Sequence, residues 1–355
     1  MATRFIAVDS GKFATKVAEY DTQNKCVKKF SLRTKIAEGD FRDDAIEKQT
    51  VVAEIDGVVY KVGNGARGTG VELETNKKSD VHKICTLTAL ATLASSSEID
   101  EINVAIGLPA KEWASVSKRM DYKEYILPEG EIKVSIKKNS DSPVIEKTFK
   151  IVKKFVYPES IGALFMDDVF PYISPTTITG VLDIGNLNLN ATLWQGTELL
   201  QDKSITADLG GAILIQELAQ EISTNVTTCD ELIAANILKD TSDIRQLPDD
   251  FNLSAEQIEE SKNVIHRVLK THADKVKRCC HARNWSLNLT KIVAIGGTSA
   301  DISKELKESF GNNITVLADS NYCNVLGYLR MMCANFKELG EEPISLIDIK
   351  DLKKK

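Results

Sequence analysis

The run Ala7-Val8-Asp9-Ser10-Gly11 recurs as Val181-Leu182-Asp183-Ile184-Gly185, about 170 residues later in a chain of 355. Each copy is a short apolar stretch that ends in Asp-x-Gly and leads into a second extended segment, 14–20 in the first case and 189–194 in the second. Apolar runs of this length bounded by a glycine turn read as buried strands. The pattern predicts a strand, a tight turn and a returning strand, made twice. A half-length duplication of that kind points to two similar α/β domains facing one another, each opening on the same hairpin. The length suits two domains with sizeable cores.

The rest of each half fits that frame. Extended segments are predicted at 28–36, 101–106, 132–137 and 145–156. Segments 51–55 and 58–62 flank Asp56-Gly57, a strong hairpin signal because glycine accepts the positive φ of a primed turn. Asp80 is placed as the N-cap of a helix to about 95, with Val81, Ile84, Leu87, Ala91 and Ala94 on one face. Tyr157-Pro158-Glu159-Ser160 is placed at the opening of another helix, running to about 169. The stretch between Pro171 and Pro175 marks the domain boundary. In the second half, 177–183, 189–194 and 197–204 read as strands, a helix begins near Gly211, 223–253 is a small helical insertion, and 254–283 is a long helix. A strand at 291–295 turns through Gly296-Gly297 into a helix at 300–310. Val316 closes a last strand, 321–335 forms a last helix, and 350–355 is a solvated, frayed end. The predicted domains are 1–172, with a smaller subdomain inserted at about 30–78, and 173–340, with a helical insertion at about 223–262. A tail follows at 341–355.

Composition removes several function classes. Hydrophobic content of 43% with 27% charged residues is that of a folded globular protein. The net charge of −6 argues against a surface that tracks nucleic acid directly. The apolar run at 5–8 is too short for a secretion signal and is interrupted by Asp9, and no stretch approaches 18 apolar residues. Seven cysteines without a secretory signal predict free thiols in a reducing cytoplasm. Gly63-Asn64-Gly65-Ala66-Arg67-Gly68 matches the dinucleotide-binding spacing, but 69–76 does not read as the helix such a site needs. Cys279-Cys280-His281 has no second ligand pair at zinc spacing.

The paired hairpins carry the chemistry. A glycine at the tip lets backbone N–H groups point into one concavity, which suits phosphate oxygens. The aspartate beside each tip is an unsuitable partner for phosphate but a natural one for a hard cation; Mg²⁺ keeps waters that carboxylates can hold. Alone, an Asp-x-Gly is commonly a surface turn; two at matching positions of a duplication predict a polyphosphate–metal site. Gly296-Gly297-Thr298-Ser299, between a buried strand and a helix, allows close packing of a flat base or ribose. Asp208-Leu209-Gly210-Gly211 precedes a helix whose N-terminus offers N–H groups and a positive dipole end. For both of these, a plain turn or cap without ligand remains the alternative.

The order of Asp-x-Gly hairpin, Pro-Glu-Ser, second hairpin and late Gly-Gly turn resembles the actin, heat-shock chaperone and sugar-kinase superfamily. Within it, the chain is similar to the ParM-like bacterial actin-like plasmid-segregation proteins. Leu108-Pro109 followed by Trp113, Tyr157-Pro158-Glu159-Ser160, Ile295-Gly296-Gly297 and Asn321-Tyr322-x-Asn324-Val325-x-Gly327 carry that narrower likeness. It spans residue 5 to about 333 and is weak in 30–75 and 224–262.

The resemblance implies an actin-like ATPase fold, α/β, with a nucleotide cleft between the two domains holding ATP or GTP with Mg²⁺. Asp9, Ser10, Gly11, Lys12 and Lys16 would form the first phosphate loop, and Asp183, Gly185, Asn186, Leu187, Asn188 and Asn190 the second. Gly210, Gly211, Gly296, Gly297, Thr298 and Ser299 would surround the nucleoside. Asp9 and Asp183 would hold the magnesium through water, and Glu159 would position or deprotonate the attacking water. Read without that likeness, Glu159 is an exposed first-turn glutamate complementing a helix dipole.

The likeness also implies filaments of identical copies, hydrolysis coupled to depolymerisation, and a DNA-binding adaptor of a plasmid partition system as partner. Contact with DNA would be indirect, and no membrane is expected. Two departures stand out: Asn190 occupies a position where many relatives carry a second aspartate, and Lys12-Phe13 replaces small polar residues, so that Lys12 either adds a phosphate contact or points to solvent. Competing readings are a small-molecule kinase on the same clamp, for which no acceptor-side aspartate base can be pointed to, and a nucleotide-binding scaffold that does not polymerise.

Overall fold

The computed structural model describes residues 3–42, 46–67, 76–240, 242–288, 290–336, 339, 344 and 349–351. They fall into two compact units: Met1–Pro171 with Asn324–Lys355, and Tyr172–Cys323.

The first unit is built on β1 (Thr3–Ser10), β2 (Ala14–Asp21), β3 (Cys26–Arg33), β4 (Ile36–Glu38), β5 (Thr50–Ile55), β6 (Val58–Gly63), β7 (Asp100–Leu108), β8 (Glu131–Lys137) and β9 (Ile145–Pro158). These strands and a closing strand, Ile349–Asp351, form one sheet; from the closing strand inward its order is β3-β2-β1-β7-β9-β8-β5-β6-β4. β1 sits between antiparallel β2 and parallel β7. Its residues from Phe5 onward are buried, as expected of a strand covered on both faces. Helix α1 (Asp80–Leu93) delivers Val81, Ile84, Leu87 and Leu90 to a core shared with Val8, Val104 and Ile106. Two further helices, α2 (Ala110–Trp113) and α3 (Val116–Ile126), follow β7. The β5–β6 hairpin turns on Asp56 and Gly57, both at positive φ (54° and 79°), as the dipeptide predicts. The cap of α1 shifts by one residue: Ser79 is the N-cap, and Asp80 is the first helical residue, where its charge complements the dipole.

The helix expected from Glu159 is absent. β9 runs on to Pro158, and the Glu159 amide extends the pairing by donating to the Leu108 carbonyl at 2.8 Å. Ser160 then adopts φ 74°, a left-handed conformation that no α-helix can pass through, and only a 3₁₀ turn, Ile161–Phe165, follows. The Ser160 amide is held by the Asn324 side chain at 3.1 Å.

The second unit contains β10 (Ile178–Ile184), β11 (Leu189–Gln195), β12 (Glu198–Leu199), β13 (Ile205–Ala207), β14 (Lys291–Ile295) and β15 (Ile314–Val316). Its sheet has the order β12-β11-β10-β14-β15, with β13 also on β11. Helices α4 (Gly211–Asn225), α5 (Glu231–Lys239), α6 (Ala255–Ala282), α7 (Gly297–Asp301) and α8 (Ser303–Phe310) pack around it, and α4 and α6 bury Leu214, Leu218, Ile265 and Leu269 in one core. α6 opens with a full capping box between Ser254 and Gln257. The strand expected at 197–204 breaks after two residues into the 3₁₀ turn Gln201–Lys203, and the helix expected at 300–310 divides at Ile302 into α7 and α8.

The last helix, α9 (Cys323–Cys333), corrects the expected domain limits, because from Asn324 onward it belongs to the first unit rather than to a 173–340 domain. Gly327 meets the backbone of Gly162 so closely that a Cβ there would overlap it, and Tyr328 fills the space beside Gly107. Beyond α9, Phe336 packs edge-on against Phe5 with ring centres 4.8 Å apart. The end of the chain is likewise more ordered than expected: Ile349–Asp351 pairs in parallel with Val27–Lys29. Residues 352–355 of the predicted frayed end lie outside the described residues, as do Gly68 and most of 69–76.

Candidate functional site

In the first unit the tip of the β1–β2 hairpin is tied down by hydroxyls. Gly11 N–H bonds the Ala14 carbonyl at 3.2 Å, and a Cβ on Gly11 would approach that same carbonyl oxygen to 2.9 Å. Thr34, just past β3, donates to the Gly11 carbonyl at 2.6 Å, and its Oγ1 lies 3.0 Å from Thr15 Oγ1. Thr15 Oγ1 lies 3.3 Å from Ser10 Oγ. The Ser10 hydroxyl is therefore turned into the protein, while the Phe13 side chain at the tip is exposed and that of Lys12 is half-buried. Arg33 places its guanidinium 3.3 Å from the centre of the exposed Phe13 ring. Lys16 sits opposite Asp9 in the ladder and has no ion-pair partner among the described residues.

Asp9 and Glu159 do come together, through a residue that the motifs did not indicate. Lys77, only 4% exposed, ion-pairs with Glu159 and lies 3.5 Å from Asp9 Oδ1. Burial alone would lower the pKa of the ammonium, but Glu159 and then Asp9 outweigh it and hold the pKa above the ordinary lysine value. The same charge reaches His82 in the first turn of α1. Burial, and then the Lys77 ammonium, push the His82 pKa down to about 3. Tyr122 of α3 donates to the Gly107 carbonyl at 3.1 Å, and burial first of all raises its pKa.

The second unit repeats the device. Asp183 pairs with Asn190 as Asp9 pairs with Lys16, and β10 has an antiparallel β11 and a parallel β14 as β1 has β2 and β7. Gly185 N–H bonds the Asn188 carbonyl at 3.0 Å. The Gly185 carbonyl accepts from Gly211 N–H at 3.0 Å and from Thr298 Oγ1 at 2.8 Å, and the Asn186 carbonyl accepts from Ala212 N–H at 2.7 Å. The tip thus caps the start of α4. Gly210 is required there, because a Cβ would overlap the backbone of Asn186, Leu187 and Asn188. Gly296 has φ 92° and meets Ile184 O and Asp183 Oδ1, so neither its backbone conformation nor its surroundings admit a side chain. Asn190 Oδ1 accepts from Thr206 Oγ1 at 3.0 Å.

The chain resembles known proteins. Residues 7–162 match the family of actin like proteins, N terminal domain. An Alp12 filament structure superposes with a TM-score of 0.69 at 19% identity, covering 94% of this chain and 99% of that one. The apo pSK41 ParM protein superposes with a TM-score of 0.71 at 16% identity, covering 96% of this chain and 99% of that one. The chain has an actin-like fold. The archaeal actin homolog Ta0583, in complex with ADP, shares that fold with a TM-score of 0.67 at 15% identity, over 95% of this chain and all of the other (100%). No curated protein sequence matches the chain significantly. The likeness to ParM-like actin-like proteins, drawn from motifs, is borne out at the level of the fold.

Within this actin-like fold the predicted residues separate by unit. Asp9, Ser10, Gly11, Lys12, Lys16 and Glu159 belong to the first, and Asp183, Gly185, Asn186, Leu187, Asn188, Asn190, Gly210, Gly211, Gly296, Gly297, Thr298 and Ser299 to the second. Three expectations need correction. Glu159 is buried at a strand end and salt-bridged, not exposed on a first helical turn. The helix start at Gly211 does not offer a full set of N–H groups, since those of Gly211 and Ala212 are spent on the hairpin carbonyls. The Ser299 hydroxyl is fully buried and donates to the Ile295 carbonyl at 2.6 Å. Lys77, Thr34 and His82 were missed. Lys77 lies in Asn76-Lys77-Lys78-Ser79, which reads as a polar loop before a cap, and nothing in its spacing separates it from Lys78, which pairs with Asp121 at 2.7 Å. Among the described residues no group of three or more His, Cys, Asp or Glu is arranged to ligate a metal directly.

Proposed function

We propose that this chain binds ATP or GTP with Mg²⁺, hydrolyses it, and polymerises with copies of itself into dynamic filaments of the plasmid-segregating kind. The observation that carries the reading is the repeated hairpin, Asp9 opposite Lys16 and Asp183 opposite Asn190, with Glu159 buried beside Asp9 across a shared lysine. Structures of the same fold with ADP and as filaments support it.

In this reading the two hairpin tips receive phosphate oxygens on backbone N–H groups other than those of Gly11 and Gly185, which already bond Ala14 and Asn188, and Lys12 and Lys16 add positive charge. Thr34 and Thr15 keep the first tip rigid, while Thr298 and the start of α4 keep the second. Asp9 and Asp183 offer single hard carboxylates, a donor set that fits magnesium held through water. Bound there, magnesium would neutralise phosphate charge. Glu159 orients the attacking water in line with the terminal phosphate. Gly296 and Gly297 let the turn between β14 and α7 pack closely on Ile184, Asp183 and Asn321, and the nucleoside lies against the backbone of that turn. With a net charge of −6, DNA is reached through a basic, DNA-binding adaptor rather than directly. No described helix is long and apolar enough to cross a membrane.

Light scattering of the purified protein, followed alongside phosphate release after addition of Mg–ATP or Mg–GTP, tests the proposal. A rise that decays as phosphate appears is expected. Nucleotide consumption that depends on an added sugar or acid, without scattering, replaces the filament by a kinase. Binding with neither property leaves the scaffold, a reading that the uncharged Asn190 favours.

A further inference from the structure

We propose that Lys77 is a positioning residue for Glu159, fixing that carboxylate in the orientation from which it acts on water; the proposal rests on the hydrolytic reading above. Three chain segments meet at the Lys77 ammonium: the end of β1 through Asp9, the connection into α1, and the end of β9 through Glu159. All three side chains are buried, with Asp9 4%, Lys77 4% and Glu159 8% exposed. An ammonium so placed has been withdrawn from solvent to serve carboxylates, and removing it leaves two buried negative charges without their partner.

The backbone on either side is already rigid. Lys77 stands two residues before Ser79, the N-cap of α1, whose carbonyl accepts from Lys83 N–H at 3.0 Å and whose hydroxyl lies 3.0 Å from His82 Nδ1. Glu159 is held by its amide on Leu108, and Ser160 by Asn324 in a left-handed conformation. The backbone leaves the rotamer of the long Glu159 side chain open, and the ion pair with the buried Lys77 bears directly on it. Lys77 is distinct in this from Lys16, which pairs with no carboxylate among the described residues and remains available to phosphate. Lys77 acts through Glu159 and not on the nucleotide.

The test is single-turnover phosphate release with protein in excess, beside equilibrium binding of a fluorescent ATP analogue, for wild type, Lys77→Met, Lys77→Arg, Glu159→Gln and the double variant Lys77→Met/Glu159→Gln. Lys77→Met is expected to slow release about 30-fold or more while affinity changes less than about threefold, the signature of a misplaced catalytic group. Lys77→Arg, which restores the charge, recovers most of the rate. In the Glu159→Gln background, Lys77→Met adds no further loss, because the group it positions is already gone. Wild-type rates in Lys77→Met, an affinity loss as large as the rate loss, or losses that multiply in the double variant each overturn the proposal. Should Lys77→Met not fold, the comparison of Glu159→Gln with the double variant, which carries one buried charge fewer, decides the same question. A wild-type protein that binds no nucleotide removes the functional reading itself; normal wild-type turnover with an unaffected Lys77→Met removes only the role of Lys77.

Discussion

Acid should loosen the first unit at His82. The imidazole is fully buried in the first turn of α1, with Nδ1 3.0 Å from Ser79 Oγ and Nε2 without a partner among the described residues. Burial is the main reason its pKa falls from 6.5 to about 3; Lys77 and Lys12 push in the same direction and Asp9 opposes them. Between those values the unfolded chain takes up a proton that the folded chain refuses. The stabilisation is therefore whole above about pH 6.5 and drains away as the pH falls toward 3, by about 1.4 kcal/mol for each pH unit inside the window. Going from pH 7 to pH 5 should cost about 2 kcal/mol from this group alone. The control is His82→Gln, which cannot titrate and places glutamine three residues after the Ser79 cap, as a capping box requires. Hydrogen exchange of a peptide covering Asp80–Leu93, corrected for intrinsic rates, reads the opening free energy of α1 at pH 7, 6 and 5. His272, whose pKa is also lowered chiefly by burial, lies in the second unit and is present in both proteins. The wild type should lose about 2 kcal/mol more than His82→Gln over this range. Parallel losses in the two proteins would refute the reasoning.

Thr34→Val keeps the shape of the side chain but strips the bond to the Gly11 carbonyl; urea unfolding should show a loss of about 1–2 kcal/mol, and affinity for a fluorescent ATP analogue should drop as the tip loosens. Gly210→Ala drives a methyl group into the backbone of Asn186, Leu187 and Asn188, and thermal unfolding should report about 1–3 kcal/mol of destabilisation. Asn190→Asp sets a like charge opposite Asp183, which costs about 0.2–1 kcal/mol without metal. The Tm of Asn190→Asp should fall in EDTA and respond more strongly to Mg²⁺ than the wild type, and equal responses would contradict a magnesium site at this hairpin.

How much of this could be read in advance follows from the range of the forces involved. The two hairpins were legible because they are local: an apolar run, an aspartate and a glycine within five residues determine a strand and its turn, whatever packs on it. Asp56-Gly57 was legible for the same reason. Repetition then supplied what no single turn could, since a common Asp-x-Gly acquires meaning when a second one follows the same kind of strand half a chain away. The register of Asp9 with Lys16 and of Asp183 with Asn190 makes that repeat exact at the level of residues. It also shows why Asn190 matters, because it occupies the position that Lys16 fills in the first unit.

The misreadings nearest the candidate site occur where a distant residue overrules a local signal. Pro158-Glu159-Ser160 has the composition of a helix start, yet the Glu159 amide is claimed by Leu108 and the Ser160 amide by Asn324, which is 164 residues away. Helix 323–333 follows the second sheet in sequence, but Gly327 lets it lie on Gly162 and thereby carries the chain back to the first unit. Lys77 is the extreme case. A lysine beside a second lysine in a polar loop is ordinarily solvated, and its own neighbourhood provides no reason to bury it. The reason is two carboxylates, 68 residues before it in the case of Asp9 and 82 after it in the case of Glu159, which offset the cost of desolvation only when the fold has brought them together. A site built from charges that stabilise one another in this way is visible in no segment by itself.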